Sequence, residues 1–315
     1  MAKTSKVVVV GSFITDLAVY TPRFPVDGET VPGNSLKVGP GGKGSNQATA
    51  AKRAGADVIM ITKLGDDDFS RIARAHYERE NMTQKYVYEE KGGETGSAVI
   101  EIHAESAQNR IIVIKAANDH LTPAEIDAAE QEIADCDIIL FQLEANYDAI
   151  ARAMELAKKH GKPIVMNPAP AQEVPEGFFD GVFLFTPNET EAQYYSGIEV
   201  VDEESAYAAG DFLIGKYGVE HVLITLGKRG AALISKDGTK VTVPTTDLKP
   251  VDTTGAGDAF NGAMCCALGE GRDMIDAIKF SNCVASIAVT RKGSSPAMPY
   301  RHEVDELYER FYGKN

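Results

Sequence analysis

The chain has 315 residues, 43% hydrophobic and 25% charged, enough for a large buried core and of a length for one or two domains. Its formal net charge of −14 disfavours polyanionic partners, so nucleic acid and acidic membrane surfaces are not expected; a local pocket of N–H groups can still hold one small phosphate ligand. No apolar run reaches membrane-span length, and VVVV near the start is too short for a signal peptide, so a cytoplasmic location is expected.

In chain order, apolar runs at 7–10, 58–62, 138–141, 164–166, 182–185 and 221–225 predict buried strands. Their near-continuous apolar character suits a parallel sheet covered on both faces. Amphipathic stretches at 45–54, 69–80, 123–134, 147–160, 191–196 and 203–217 predict helices. Thr122-Pro123-Ala124-Glu125 supplies an N-cap, a proline at the first helical position and an acid at the third. The alternation predicts an α/β fold: an open, mostly parallel sheet with helices on both faces, binding its ligand at the carboxyl ends of the strands. Two segments, 16–38 and 95–114, alternate apolar with polar residues between glycines, as in SAVIEIH and RIIVIKAA. They predict antiparallel strands outside the main sheet. With no repeat or linker in view, the expectation is a single domain, 1–315, carrying a small β-sheet lid formed by about 14–38 and 95–115. Cys136, Cys265, Cys266 and Cys283 show no C-x-x-C spacing and are expected to be buried, reduced thiols.

Two glycine-rich stretches carry the chemistry. In GPGGKGSNQATAAKRAG, Gly39, Gly41 and Gly44 fit G-x-G-x-x-G, and Asp66 lies where a ribose-binding acid would be. A dinucleotide site would need this stretch to follow the first strand, which runs instead into FITDLAVYTP. The plain alternative is a glycine turn before a helix of small residues, a reading that leaves Lys43 and Asn46 without a task. In DTTGAGDAF, the N–H groups of Gly255, Ala256 and Gly257 sit at the start of a helix expected over 258–268, a ready anion site. Asp258 is either an acid favoured there by the helix dipole or a base for a group attacking the bound anion. An ordinary N-cap needs no bare loop of this length. The chain has no G-x-x-x-x-G-K-[ST], H-E-x-x-H or G-x-S-x-G, and its six histidines form no evident constellation.

GGKGSNQA together with DTTGAGDAFNGA resembles the two signatures of the ribokinase-type (pfkB) carbohydrate kinases. The likeness continues through GSFITDL, MNPAPA, TPNETEA, LITLGKRG and VTRKGSSPAMP, in the family's order and over nearly the whole chain. Within the family it is to the ribose- and 2-deoxyribose-phosphorylating members. The resemblance implies transfer of the ATP γ-phosphate to the 5-hydroxyl of a pentose. The alternatives are another sugar or a nucleoside as acceptor, a nicotinamide-dependent oxidoreductase using the first glycine stretch, or a sugar sensor built on a retired kinase.

The roles of single residues follow from the same resemblance. Asp258 matches the catalytic base, and the amides of Gly255, Ala256 and Gly257 match the hole for the transferring phosphoryl group. Asn188, Thr225, Gly227, Gly230, Gly257 and Asn282 match ATP-binding positions, with a helix start and plain turn glycines as the bland alternatives. Asn188 and Glu191 match a magnesium and phosphate motif. Asp252 and Thr254, with backbone groups at Ala288, Arg291, Gly293 and Ala297, match a potassium site, and Ala297 stands where the family often has serine. Ile14, Asp16, Gly42, Lys43, Asn46 and Glu144, with Asp258, match the sugar site; Glu144 alone would read as a solvated loop acid. Ile14 replaces an asparagine usual in ribokinases, which favours 2-deoxyribose, unless Ile14 only packs beneath the lid. The strands of the lid need a partner for their exposed face and edges, and a homodimer joined through the lids is expected.

Overall fold

The structure, a computed structural model, describes residues 3–106 and 108–313. The first part of the chain runs β1 (Lys6–Val10), β2 (Ile14–Thr21), β3 (Ser35–Gly41), α1 (Lys43–Ala54), β4 (Asp57–Gly65), α2 (Asp68–Arg79), β5 (Val87–Glu90), β6 (Ser97–His103) and β7 (Asn109–Ile114). Next come α3 (Pro123–Asp127), α4 (Glu130–Asp135), β8 (Ile138–Phe141), α5 (Tyr147–Lys159), β9 (Ile164–Met166), β10 (Leu184–Phe185), α6 (Glu189–Ser196) and α7 (Glu203–Tyr217). The remainder is β11 (His221–Thr225), β12 (Ala231–Ser235), β13 (Lys240–Val243), α8 (Ala256–Gly269), α9 (Met274–Ala288) and α10 (Arg301–Tyr312).

Nine strands form one sheet in the order β13-β12-β11-β10-β9-β8-β1-β4-β5. It is parallel from β5 to β11, and β12 and β13 continue it as an antiparallel edge. The unbroken valines of β1 follow from this position. Val7 and Val9 pack with residues of α1, α8 and α9, and Val8 and Val10 pack with residues of α3, α5 and α7. A strand whose two faces are both dry has no use for alternation. Helices therefore cover both faces, as the strand–helix rhythm predicts. α1 and α8 lie against each other closely: a Cβ on Gly262 would sit 2.3 Å from the Gln47 carbonyl oxygen. That closeness brings the starts of both helices to one place at the carboxyl ends of the central strands.

The second sheet is separate and has the order β3-β2-β6-β7. Its outer pairs are antiparallel, but β2 and β6 run parallel, which corrects the expectation of antiparallel strands alone. The reason is the long excursion between them: α1, β4, α2 and β5 intervene, and a crossover of that length lets a strand return in the same direction. A second correction concerns 123–134, which forms two short helices. Ala129 N–H bonds back to Ile126 O at 2.9 Å, and this tight turn keeps Ile126, Ala129 and Ile133 all buried. The apolar run 182–185 pairs only at Leu184–Phe185. All four cysteines are free and buried.

Candidate active site

The starts of α1 and α8 meet the ends of β1, β8, β9 and β10 at two adjoining cavities. One, of about 390 Å³, lies beneath the small sheet and is lined by Ile14 and Asp16 from β2, Lys43 and Asn46 from α1, and Glu144 beyond β8. The other, of about 160 Å³, is lined by the loop before α8 together with Asn188, Glu191 and Thr225. Lys43, Gly255 and Asp258 line both. Two larger grooves of about 690 and 600 Å³ contain none of these residues; the first lies at the amino ends of β9 to β11, away from the helix starts.

Gly255 is the N-cap of α8 with φ 76°, the left-handed region that favours glycine. α8 begins at Ala256, two residues earlier than the sequence pattern predicts. Of the three amides expected, that of Ala256 turns back to Thr253 O at 3.2 Å, while those of Gly255 and Gly257 have no backbone acceptor among the described residues. Asp258 closes this first turn and is only 8% exposed. Its Oδ2 accepts from Asn46 Nδ2 and its Oδ1 from Gln47 Nε2, both at 2.9 Å. Burial pushes the Asp258 carboxyl up from its ordinary value, while Lys43 and the two amides pull it back and Glu144 adds to the rise. Burial works against the Lys43 ammonium, yet Asp258, Glu144 and Glu191 around it hold its pKa above the ordinary lysine value. A firmly charged lysine thus sits among three carboxylates.

Glu144 is not a solvated loop acid. It is buried, accepts from Ser12 Oγ at 2.6 Å and from the Lys43 backbone N–H at 2.9 Å. The N-cap of α1, Gly42, has no capping side chain, so a carboxylate 101 residues away takes that task. Asp16 accepts from Ser294 Oγ at 3.4 Å. Burial, then the charge of Glu144, pushes its carboxyl up to about 7, against the opposing pull of Ser294. Ile14 is 3% exposed and faces the larger cavity. The two polar atoms of Asn46 are both engaged, Nδ2 by Asp258 and Oδ1 by Ser295 Oγ at 2.6 Å.

Asn188 and Glu191 form a reciprocal capping box at the start of α6: Asn188 Oδ1 accepts from Glu191 N at 2.8 Å, and Glu191 Oε2 accepts from Asn188 N at 2.9 Å. Both also line the smaller cleft, so the capping role leaves them at its edge. Gly227 and Gly230 flank one tight turn after β11 and, like Asn282, line neither cavity. Asn282 is buried on α9 and donates to Val243 O and Pro244 O. Asp252 receives the N–H groups of Thr254 (3.0 Å) and Gly293 (2.9 Å), tying the loop before α8 to the segment after α9. Burial raises the Asp252 carboxyl, but these N–H donors outweigh it and hold the pKa low. Ala288 O accepts from Arg291 N, and Ala297 N donates to Ser294 O, both at 3.0 Å. Among the described residues no group of three His, Cys, Asp or Glu is placed to hold a metal ion.

The dinucleotide reading fails on context: Gly39 and Gly41 lie in β3 of the small sheet, and Asp66 accepts from Gly92 N in a distant loop. Gln47, Gln142, Asn167, Ser294 and Ser295 join the site without having been singled out in the sequence. Two adjacent amides, Asn46-Gln47, among the small residues that fill the buried middle of α1 were the available signal.

The model of the pfkB family carbohydrate kinases matches residues 4–301. The chain is 37% identical to a ribokinase of Haemophilus influenzae over 301 residues, 96% of this chain and 97% of that one. It is 36% identical to a deoxyribokinase of Salmonella typhi over 301 residues, 95% of this chain and 97% of that one. An Arabidopsis thaliana ribokinase, solved with ribose and ATP, superposes with a TM-score of 0.90 at 28% identity and covers 98% of this chain and 99% of its own. The chain belongs to the pfkB family of carbohydrate kinases.

Proposed function

We propose that this protein is a pentose kinase that transfers the γ-phosphoryl group of ATP to the 5-hydroxyl of ribose or 2-deoxyribose. The observation that carries the reading is the position of Asp258. One carboxylate stands where two cavities join, at the start of a helix, with a charged lysine beside it. The deoxyribokinase and ribokinase relatives, and the ribokinase that holds ribose and ATP, support the same substrates here.

The sugar occupies the cavity beneath the small sheet, its hydroxyls received by Asp16, Lys43 and Glu144, with its 5-hydroxyl at Asp258. Asp258 takes the hydroxyl proton as the oxygen bonds to the γ-phosphorus and the bond to the β,γ-bridging oxygen breaks; ADP leaves and Asp258 later returns its proton to water. The free amides at the start of α8 meet the charge on the transferring group, and the helix dipole adds to them. Lys43 keeps the carboxylates from repelling the phosphate outright. Thr225, Gly227, Gly230 and Asn282 receive the remainder of the nucleotide. Magnesium, when bound, neutralises phosphate charge; Asn188 and Glu191 offer the oxygen ligands that suit it, directly or through water. Asp252 and Thr254, with the carbonyls of Ala288, Arg291, Gly293 and Ala297, form an all-oxygen set of low charge that suits potassium.

The small sheet is read as a lid on a single domain. Ile14, buried against the sugar cavity, accommodates a CH₂ at carbon 2 and cannot bond a hydroxyl there, so 2-deoxyribose is the preferred acceptor. The face of the lid turned away from the cavity exposes Leu36, Val38, Ile112 and Ile114, which supports a homodimer joined lid to lid. No helix among the described residues is long and apolar enough to cross a membrane. ADP formation measured with a panel of pentoses, hexoses and nucleosides tests the reading. Pentose-dependent ADP release is expected, and release dependent only on a hexose or a nucleoside would refute it.

A further inference from the structure

Behind Asp258 lies a chain of buried amides that the proposed reaction does not itself use. Gln47 is fully buried on α1. Its Nε2 donates to Asp258 Oδ1 at 2.9 Å and to Asn167 Oδ1 at 3.0 Å, and its Oε1 accepts from Gln142 Nε2 at 2.6 Å. Asn167 donates onward to Thr186 O at 2.9 Å. Gln142, Asn167 and Thr186 each directly follow a strand, β8, β9 and β10, which are neighbours in the sheet. Three adjacent strand ends therefore anchor one side-chain amide.

An amide has its donors on one side only, and that decides the orientation. With Gln142 donating to the oxygen, the Gln47 NH₂ must face Asp258 and Asn167. A flipped Gln47 would set its oxygen against two other oxygens and its NH₂ against the NH₂ of Gln142. We propose that Gln47 is a positioning residue for Asp258 and that Gln142 is the lock that keeps its amide turned to donate. The inference rests on Asp258 being the base. Two amide bonds occupy two of the roughly four lone-pair sites of the carboxylate and leave the others to receive a proton. They also favour the ionised form against its burial. The charged groups facing Asp258 are Lys43 from α1, Glu144 from beyond β8, Asp16 from β2 and Glu191 from α6. The substitutions below leave all four in place.

The test compares Gln47→Glu and Gln142→Met with Asp258→Asn in the full chain, at saturating ATP and pentose. Gln142 Oε1 has no hydrogen-bond partner among the described residues, so Gln142→Met removes a single bond and should fold even if Gln47→Glu does not. Gln47→Glu should lower kcat by about 10- to 100-fold, with both KM values near those of the parent, and shift the acid limb of the kcat–pH profile upward by about one unit. Gln142→Met should move both quantities in the same direction by a smaller amount, about three- to tenfold in kcat. A folded Gln142→Met enzyme with parental kcat and an unmoved acid limb would overturn the inference while Asp258→Asn is inactive. Retained turnover in Asp258→Asn would overturn the base assignment itself, and this inference with it.

Discussion

β1 reads KVVVV and β7 reads NRIIVI; four valines of the first are fully buried, whereas every residue of the second is exposed. Hydrophobicity is nearly the same in the two, and what differs is their place. β1 lies mid-sheet between two layers of helices, while β7 is an edge strand of a sheet covered on one side only. The comparison extends from strands to regions. The large sheet places the ends of its strands, and the helices packed on it, with both hydrogen bonds and close contact, and the candidate base stands there. The small sheet contributes Ile14 and Asp16, two residues that line the larger of the two adjoining cavities, and an apolar outer face. In the proposed reaction the rigid region does the chemistry and the half-covered region sets acceptor choice and assembly.

The largest effect should come from the rigid side. Asp258→Asn should lower kcat by about 10²–10⁴ with sugar and ATP still bound, and turnover near that of the parent would remove Asp258 from its role. The strands themselves supply the next contrast. Val9→Thr buries a hydroxyl and should cost about 1–3 kcal/mol in denaturant unfolding, whereas Ile112→Thr should stay within about 0.5 kcal/mol. Equal costs would mean that the face of β7 is covered within the monomer after all. On the small sheet, Ile14→Asn should swing the kcat/KM ratio of ribose over 2-deoxyribose towards ribose by about 10- to 100-fold. A parent enzyme that already prefers ribose by about tenfold would reduce Ile14 to a packing residue.

Asp16 gives a pH dependence with a defined sign. Its folded pKa is about 7 against an ordinary 3.8, so the folded state keeps a proton that the unfolded state releases. Its contribution to stability is therefore full below about 3.8 and is lost as pH rises towards about 7. Pentose kcat/KM should move the opposite way, falling as pH drops through about 7, where the carboxylate is neutralised. Asp16→Asn should flatten both curves, and curves unaltered by it would exclude Asp16 as the titrating group. The smallest catalytic effect should follow Ile112→Lys on the outer face of the lid. Sedimentation should then show a monomer, with kcat per chain within about a factor of two of the parent. A parent chain that is already monomeric at micromolar concentration would sink the lid-to-lid dimer.

The rigid region was the more legible of the two in the sequence. Unbroken β-branched runs mark strands that are dry on both faces, and bare glycines before Asp258 mark the start of α8. Legibility ended where contacts are made between distant residues. Taken without the family resemblance, Glu144 reads as a loop acid, because nothing nearby in sequence shows that Ser12 and the Lys43 N–H will meet it. Gln142 and Asn167 each read as one polar residue after an apolar strand, and only the parallel order of β8, β9 and β10 sets them in a row. The parallel pairing of β2 with β6 was hidden for the same reason, since alternation within a strand carries no sign of its partner's direction. Asn282 is matched to the nucleotide by resemblance, and nothing in the sequence around it shows that its amide also donates to Val243 O and Pro244 O.

The most direct test of the whole account is ³¹P NMR of the products formed from ATP with 2-deoxyribose and with ribose. Acceptor transfer at Asp258 predicts ADP and a pentose 5-phosphate in equal amounts, faster with 2-deoxyribose. ADP without any sugar phosphate, or phosphate carried on the anomeric oxygen, would contradict the placement of the 5-hydroxyl at the junction of the two cavities.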